Sequence, residues 1–251
     1  MPLYFTMDEN HKLTKKEKKE LRKMEWQEKA KTDARNAKIK KFSIWGGVIL
    51  IFLVVAFVLV QVVATPAQPT QNVTIAPVSA RDISQGNPKA KVTLIEYADF
   101  QCPACAIYHP IINQILSAYG NKLFYVYRMF PLVNAHPNAL ISAQAAYAAY
   151  KQGAFFQYDD MLFTKQTEWI DLQDPKTAFT DYATLLKLDT TKFRADMISG
   201  DTQKYVQDSE NEATNEGIIQ TPSFFINGNL IQNPSSYEDF KKLIDAALNK
   251  K

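Results

Sequence analysis

Residues 91–105 read KVTLIEYADFQCPAC, and this stretch decides the fold. Its first ten residues are largely apolar and rich in β-branched and aromatic side chains, which predicts a buried strand over residues 91–100. Pro103 suits the first turn of a helix, where its missing N–H costs nothing, and apolar residues at helical spacing continue to Tyr119. The sequence therefore predicts a strand that leads directly into a helix, with Cys102 at the helix start.

Cys102 and Cys105 form a C-x-x-C motif and are the only cysteines in the chain. Free backbone N–H groups and the positive end of the helix dipole favour a thiolate at a helix start, so the pKa of Cys102 should fall below about 8.5. Cys105 lies one turn further on the same face, within reach of a disulfide of normal geometry. We therefore predict that Cys102 is the nucleophile and that Cys105 is a more deeply buried resolving thiol.

Other uses of this cysteine pair remain open. Half of a zinc site also reads C-x-x-C, and a metal-binding or metal-delivery module could hold copper or zinc on both thiolates. Against a metal, there is no second cysteine pair, and the only histidines are His11, His109 and His136. An inert disulfide would close a very small loop and remove little entropy from the unfolded chain. A membrane-anchored interaction protein with a vestigial site is a further alternative, and no metal or other cofactor is predicted.

An uncharged apolar run, FSIWGGVILIFLVVAFVLVQVVA, occupies residues 42–64. About 20 such residues suffice to cross a bilayer core as a helix. Residues 1–41 hold 13 Lys and Arg against 7 Asp and Glu, so the positive-inside rule places them in the cytoplasm. We predict a single-pass cell-membrane protein with a cytoplasmic N-terminus and an extracytoplasmic catalytic domain. Cleavage after Ala64 remains the alternative.

Beyond the apolar run, composition divides the chain into a linker and a domain. Residues 65–82 are rich in Pro, Thr and Gln, which predicts a flexible, extended tether to a domain over residues 83–251. The formal net charge of +3 is modest and gives no reason to expect a nucleic-acid partner. Within the domain, helical patterns without an intervening strand pattern are found over residues 138–151, 155–164, 179–186, 191–199 and 201–216. Asn227-Gly228 predicts a hairpin turn, and a closing amphipathic helix is expected over residues 237–249.

The chain combines Glu96 in the strand, CPAC at the helix start, Arg128 to Leu132 (RMFPL) followed by His136 and an alanine-rich helix, and Thr221-Pro222 before SFFING. Together these motifs resemble the DsbA family of thioredoxin-fold thiol:disulfide oxidoreductases. The resemblance covers residues 83–249 and implies a thioredoxin-like α/β fold with a helical subdomain inserted at about residues 137–217. Gln220 departs from the pattern, since related sequences often carry glycine there.

The resemblance also implies roles for particular residues. Pro222 corresponds to a cis-proline that faces the cysteine pair, and the backbone of Thr221 would pair with an extended substrate segment. Glu96 corresponds to the family's buried acid, whose pKa burial should raise, and it could relay protons to Cys105. His109 could favour the thiolates or lie exposed on the surface, and His136 fits a loop or helix-cap role better than a catalytic one.

The expected activity is thiol–disulfide exchange on cysteines of exported polypeptides. Pro103 and Ala104 stand between the cysteines and would contact substrate. They are more similar to oxidising members of the family than to the Gly-Pro pair of thioredoxins, which favours an oxidase. A quinone-linked membrane oxidase would then restore the disulfide. The alternative is a reductase or isomerase that receives electrons through the membrane.

Overall fold

The computed structural model describes residues 73–250 and a few positions near the N-terminus, namely residues 22–24, 26, 29 and 32. The chain divides into two compact units, Met1–Pro69 and Thr70–Lys251, and the fold below belongs to the second. The transmembrane helix predicted over residues 42–64 lies outside the described residues. Among the helices that are described, none is both long and apolar enough to cross a bilayer.

Five strands form one mixed sheet in the order β1-β3-β2-β4-β5. Neighbouring strands β2 and β3 are parallel, and the other pairs are antiparallel. β2 is central and buried on both faces, which explains its nearly continuous apolar sequence. The strands are β1 (Ile83–Gly86), β2 (Val92–Ala98), β3 (Leu123–Met129), β4 (Ser223–Ile226) and β5 (Asn229–Ile231).

Helix α1 (Pro103–Tyr119) connects the parallel strands β2 and β3, and helix α8 (Tyr237–Asn249) closes the domain. Between β3 and β4 the chain forms a helical insertion, which contains no strand. This arrangement confirms the expected thioredoxin-like α/β fold with inserted helices. The inserted helices are α2 (Ala139–Tyr150), α3 (Phe155–Thr164), α4 (Gln166–Trp169), α5 (Lys176–Leu185), α6 (Thr190–Met197) and α7 (Gly200–Asn215).

Strand β2 separates two apolar clusters because alternate side chains point to opposite faces of a sheet. Leu94 and Ala98 belong to the main core, which also contains both cysteines and the buried side of α1. Ile95 and Tyr97 belong to a smaller cluster on the other face. Glu96, between them in sequence, therefore shares the face of the cysteine pair.

Aromatic side chains fill the core of the helical insertion. Trp169 and Phe179 are fully buried and meet edge to face with ring centroids 5.2 Å apart. The Trp169 indole N–H donates to the Leu162 carbonyl at 2.9 Å, so its polar atom is also satisfied. These rings therefore form part of the core of the insertion.

The segment before the domain differs from the prediction. Residues 73–82, the second half of the predicted tether, lie against the sheet. Val73 and Ile75 cover the smaller apolar cluster, and the buried Arg128 donates to the Ala76 carbonyl at 3.0 Å. Arg128 Nε also pairs with Asp82 Oδ1 at 2.8 Å. The composition of residues 65–82 did not reveal this attachment. Arg128, which holds the segment, lies on β3 and is distant in sequence.

Smaller differences concern two short elements and one helix start. β1 and α4 were not predicted, and α5 begins at Lys176, before the predicted start at residue 179. Strand β1 reads ISQG and buries only Ile83, so it carries almost no apolar pattern. The strand depends on main-chain pairing with β3, which a sequence pattern does not reveal.

Candidate active site

Cys102 occupies the N-cap of α1, with φ −68° and ψ 120°, and Pro103 begins the helix. Its backbone N–H donates to the Asp99 carbonyl at 3.1 Å, and its carbonyl accepts from the Ala106 N–H at 3.3 Å. These bonds hold its sulfur at the end of the helix where free N–H groups converge. The side chain lies just below the surface, with the residue 7% exposed.

The environment of Cys102 stabilises a thiolate and lowers its pKa to about 5. The largest cause is a hydrogen bond donated by the Cys105 side chain, and burial opposes it. The Thr221 side chain and the backbone N–H groups of Cys105 and Ala104 lower the pKa further. When protonated, the sulfur contacts the Thr221 carbonyl at 3.4 Å, which favours the thiol, but the several donors outweigh this one acceptor.

Cys105 lies deeper and behaves in the opposite way. It is almost fully buried, and burial is the largest cause that raises its pKa well above the usual range. Its hydrogen bond to Cys102 and the negative charges of Cys102 and Glu96 raise the pKa further. At neutral pH the pair is therefore one thiolate near the surface and one thiol behind it.

The loop opposite the cysteines contains the predicted cis peptide bond, Thr221-Pro222. Two hydrogen bonds support the loop: Ser223 Oγ donates to the Gln220 carbonyl at 2.8 Å, and Asn233 Nδ2 donates to the Pro222 carbonyl at 2.7 Å. The Thr221 hydroxyl is buried and has no hydrogen-bond partner of regular geometry among the described residues.

Glu96 lies inside the core below the pair and is 3% exposed. Burial raises its pKa to about 7, and a hydrogen bond from the Tyr125 hydroxyl to Oε2, at 2.5 Å, opposes the shift. A carboxyl with a pKa near neutrality can both accept and donate a proton at physiological pH. The predicted burial of Glu96 is confirmed, while its catalytic role stays a prediction.

The loop before Cys102 is fixed by a buried carboxylate that sequence patterns did not single out. Asp99 Oδ1 accepts the Gln101 N–H at 2.8 Å, and Oδ2 accepts the Leu132 N–H at 3.0 Å. His136 Nδ1 lies 2.7 Å from the same Oδ2. His136 therefore supports a loop, as predicted.

Comparison with known proteins agrees with this geometry. A family model described as thioredoxin matches residues 79–246, more than half of the chain. The chain belongs to the thioredoxin family.

Solved structures place it among the DsbA-type members of that family. BdbD from Bacillus subtilis is 19% identical, with a TM-score of 0.64 over 71% of this chain and 98% of that chain. Wolbachia pipientis alpha-DsbA1 is 25% identical, with a TM-score of 0.61 over 68% of this chain and 92% of that chain. The structural neighbours are thiol:disulfide oxidoreductases of the DsbA type, which confirms the resemblance seen in the motifs.

A curated relative differs in overall organisation. The protein named Na(+)/H(+) antiporter NhaA 1 from Mycobacterium sp. (strain KMS) is 33% identical over 175 residues, which cover 68% of this chain but 27% of that protein. The chain thus spans about a quarter of the length of the curated relatives that it matches. The antiporter name describes those whole proteins.

The structure brings the sequence-predicted residues of this thioredoxin-family site together. Pro103 is exposed and Ala104 half-buried at the helix start, next to the Cys102 sulfur that contacts Thr221. For His109 the sequence left a role beside the thiolates and an exposed position both open, and the structure buries it. Its Nε2 lies 2.9 Å from Asp160 Oδ1, and its ring lies against Phe163.

Two further features of the thioredoxin-family site were not predicted from the sequence. Gln166 Nε2, on α4, donates to the carbonyls of Phe100 at 2.8 Å and Cys102 at 3.2 Å, so the insertion supports the helix start. Asp159, on α3, is a second buried acid near Glu96. In the described part of the chain, no three or more His, Cys, Asp or Glu side chains are grouped so that they could hold a metal ion.

Proposed function

We propose that this protein oxidises cysteines of exported polypeptides to disulfides by thiol–disulfide exchange at Cys102 and Cys105. The observation that carries the proposal is the asymmetry of the pair. Cys102, near the surface, has a pKa of about 5, whereas burial holds the Cys105 pKa well above its usual range. A thiolate is the reacting species in disulfide exchange, so the pair has one attacking or leaving sulfur and one resolving sulfur.

In the oxidising direction, a substrate thiolate attacks the Cys102 sulfur of the Cys102–Cys105 disulfide. The S–S bond breaks, Cys105 leaves as a thiolate, and Glu96 supplies its proton. A second substrate thiolate then attacks the substrate sulfur of the mixed disulfide, and Cys102 leaves as a stabilised thiolate. Two electrons pass from the substrate to the protein, and a membrane quinone-linked oxidase would remove them by the same exchange.

The low pKa of Cys102 supports oxidation rather than reduction. Stabilising the thiolate stabilises the reduced dithiol, and a pair whose reduced form is stable is a stronger oxidant. A reductase would instead require a stable disulfide form. The alternative direction therefore predicts a different reduction potential, which can be measured.

The surface around the pair supports an unfolded or extended substrate. Ile107 is 68% exposed, two residues after Cys105, and Ile219 is 72% exposed, two residues before Thr221. Exposed aliphatic side chains next to a reactive sulfur suit apolar segments of a polypeptide. We further propose that the apolar run at residues 42–64 anchors this domain outside the cytoplasm, where substrate cysteines become oxidised.

Trapping of mixed disulfides tests the exchange reaction. Cys105→Ala removes the resolving thiol, so covalent adducts with cellular proteins should accumulate at Cys102 and disappear on treatment with a dithiol. Cys102→Ala serves as the matched control and should form none. Absence of adducts in the Cys105→Ala strain would contradict exchange.

The reduction potential of the pair against glutathione tests the direction. We expect a value closer to about −120 mV than to about −270 mV. A value near about −270 mV would instead indicate a reductase. The exchange reaction itself would still stand.

A further inference from the structure

Helix α3 carries a buried carboxyl that the exchange steps above do not use. Asp159 is buried, and its Oδ1 atom has no hydrogen-bond partner in the described structure. Its Oδ2 atom lies 3.6 Å from His109 Nδ1. Buried polar atoms are almost always bonded, so an unpartnered carboxyl oxygen in a core calls for a functional explanation.

Toward the cysteines, Asp159 adjoins the tyrosines that surround Glu96. Phe155 and Phe156, one turn earlier on α3, contact the rings of Tyr127 and Tyr125 with centroids 5.2 Å and 6.0 Å apart. These contacts hold α3 against β3. The Tyr127 hydroxyl is also buried without a partner, and the Tyr125 hydroxyl donates to Glu96.

On the solvent side, the imidazole of His109 lies between Asp159 and the surface residue Asp160. His109 is buried on α1, and its Nε2 lies 2.9 Å from Asp160 Oδ1 and 3.0 Å from Asn113 Nδ2. The Asp160 side chain is 53% exposed. The two nitrogens of His109 thus face a buried carboxyl on one side and a solvent-exposed carboxyl on the other.

We propose that Asp159 and His109 carry protons between Glu96 and the surface carboxyl Asp160. The inference rests on the proposed exchange function and extends it, because Glu96 itself is sealed from water. The Tyr125 hydroxyl donates to Glu96, and the Tyr127 hydroxyl, which has no hydrogen-bond partner among the described residues, lies within the electrostatic influence of both acids. Asp159 and His109 are relay residues that act through Glu96 and do not touch substrate.

The proton balance of one oxidation step is simple. Cys105 leaves the disulfide as a thiolate and takes one proton from Glu96. Glu96 is reprotonated from the Asp159 carboxyl, Asp159 from His109 Nδ1, and His109 from solvent at the Asp160 end. No electrons move along this path, and it runs in reverse when Cys105 loses its proton during reoxidation.

The electrostatics of the core agree with this role. Burial raises the pKa of Asp159 well above its usual range, and the charges of Glu96 and Asp160 raise it further. Burial therefore favours the protonated form of Asp159, which is the form that a proton donor needs. After burial, the charge that most raises the pKa of Tyr127 is that of Asp159, followed by those of Glu96 and Cys105, so the same hydroxyl is sensitive to both acids and to the thiol.

The test compares a step that needs no proton from Cys105 with a cycle that does. Attack of reduced Cys102 on oxidised glutathione gives the first rate, and repeated oxidation of a dithiol peptide by oxidised glutathione gives the turnover rate. Asp159→Asn should leave the first rate within about twofold and slow turnover at pH 7 by about tenfold. Because proton transfer becomes limiting, the solvent deuterium isotope effect on turnover should rise above that of the wild type. Asp171→Asn, an exposed aspartate of the same insertion, is the matched control and should change neither quantity.

A second variant tests the relay if Asp159→Asn does not fold. His109→Gln keeps a donor toward Asp160 but cannot pass a proton, and it should reproduce the same pattern. Wild-type turnover and isotope effect in the folded variants would refute the relay. Equal slowing of both rates would also refute it, by indicating a structural role. If the wild type itself neither attacks glutathione disulfide nor turns over, the exchange function fails instead.

Discussion

The two thiols of the pair experience opposite environments although only two residues separate them in sequence. Cys102 receives hydrogen bonds from the Cys105 thiol and from backbone N–H groups of the first helical turn, and these bonds hold its pKa near 5. Cys105 lies behind it in a core that also contains Glu96. Negative charge is therefore favoured on the sulfur nearer the surface and disfavoured on the more deeply buried one.

Glu96→Gln should make the oxidised protein more stable at alkaline pH. The folded-state pKa of Glu96 is about 7, against about 4.3 in an unfolded chain. The folded protein thus holds a proton that the unfolded chain releases between these values, so stability falls as pH rises through this window. Glutamine removes that loss, and the variant should exceed the wild type by on the order of 3 kcal/mol above pH 7.

Denaturant unfolding of both proteins at acidic and alkaline pH measures this effect. The difference should disappear below about pH 4, where the wild-type carboxyl is neutral in both states. Glu168→Gln is the control, because Glu168 is exposed and a hydrogen bond from Lys165 lowers its pKa. It should show no gain at alkaline pH. A Glu96→Gln protein that is less stable than the wild type at every pH would contradict the assignment of a costly buried carboxyl.

At the level of elements, Arg128 on β3 joins the incoming segment to the sheet. Its guanidinium pairs with Asp82, donates to the Tyr97 hydroxyl at 2.6 Å, and lies 3.8 Å from Glu216. Glu216 in turn accepts the Ala76 N–H and directly precedes the loop that leads to the cis-proline. One buried cation therefore connects residues 73–82 to the base of the active-site loop.

Arg128→Met should destabilise the domain by about 3 to 5 kcal/mol, because it leaves the buried carboxylates of Asp82 and Glu216 unpaired. Residues 73–82 should also become sensitive to proteases. Arg81→Met is the control, since the Arg81–Asp208 pair is exposed and 3.8 Å long and should contribute about 1 kcal/mol or less. Equal stability of the two variants, measured by urea unfolding, would argue against the anchoring role of Arg128.

Elements with strong local signals were predictable from the sequence. Helix α8 was predicted at Tyr237–Asn249 and α3 at Phe155–Thr164, and both bounds agree with the structure. Both helices carry apolar residues at helical spacing. Strand β1 and the attachment of residues 73–82 were not predicted, because they depend on pairing with β3, which lies about 40 residues away in sequence.

For the whole molecule, the position of the cysteine pair at a helix start and the cis-proline bond were predictable because they lie in contiguous motifs. CPAC after an apolar strand, and Thr221-Pro222 before a hairpin, are each readable within a few residues. The polar residues that support the site cannot be recognised from such short motifs. Gln166 and Asp159 look like ordinary surface residues in the sequence, and Asp99 lies in the predicted buried strand with no sign there of its distant partners; the folded structure buries all three.

The sheet, the insertion and the cis-proline loop all meet at the start of α1. Backbone N–H groups of α1, the buried thiol of Cys105 and the Thr221 side chain act together on one sulfur. The function proposed above depends on the charge state of that sulfur more than on any other property of the chain.

Titration of the reduced protein, followed by the ultraviolet absorbance of the thiolate and by the pH dependence of Cys102 alkylation, tests this claim most directly. We predict one ionisation with a midpoint near pH 5, absent in Cys102→Ala, and rapid alkylation at neutral pH. A midpoint above about pH 8, or a Cys102 that resists alkylation in the folded protein, would contradict the account.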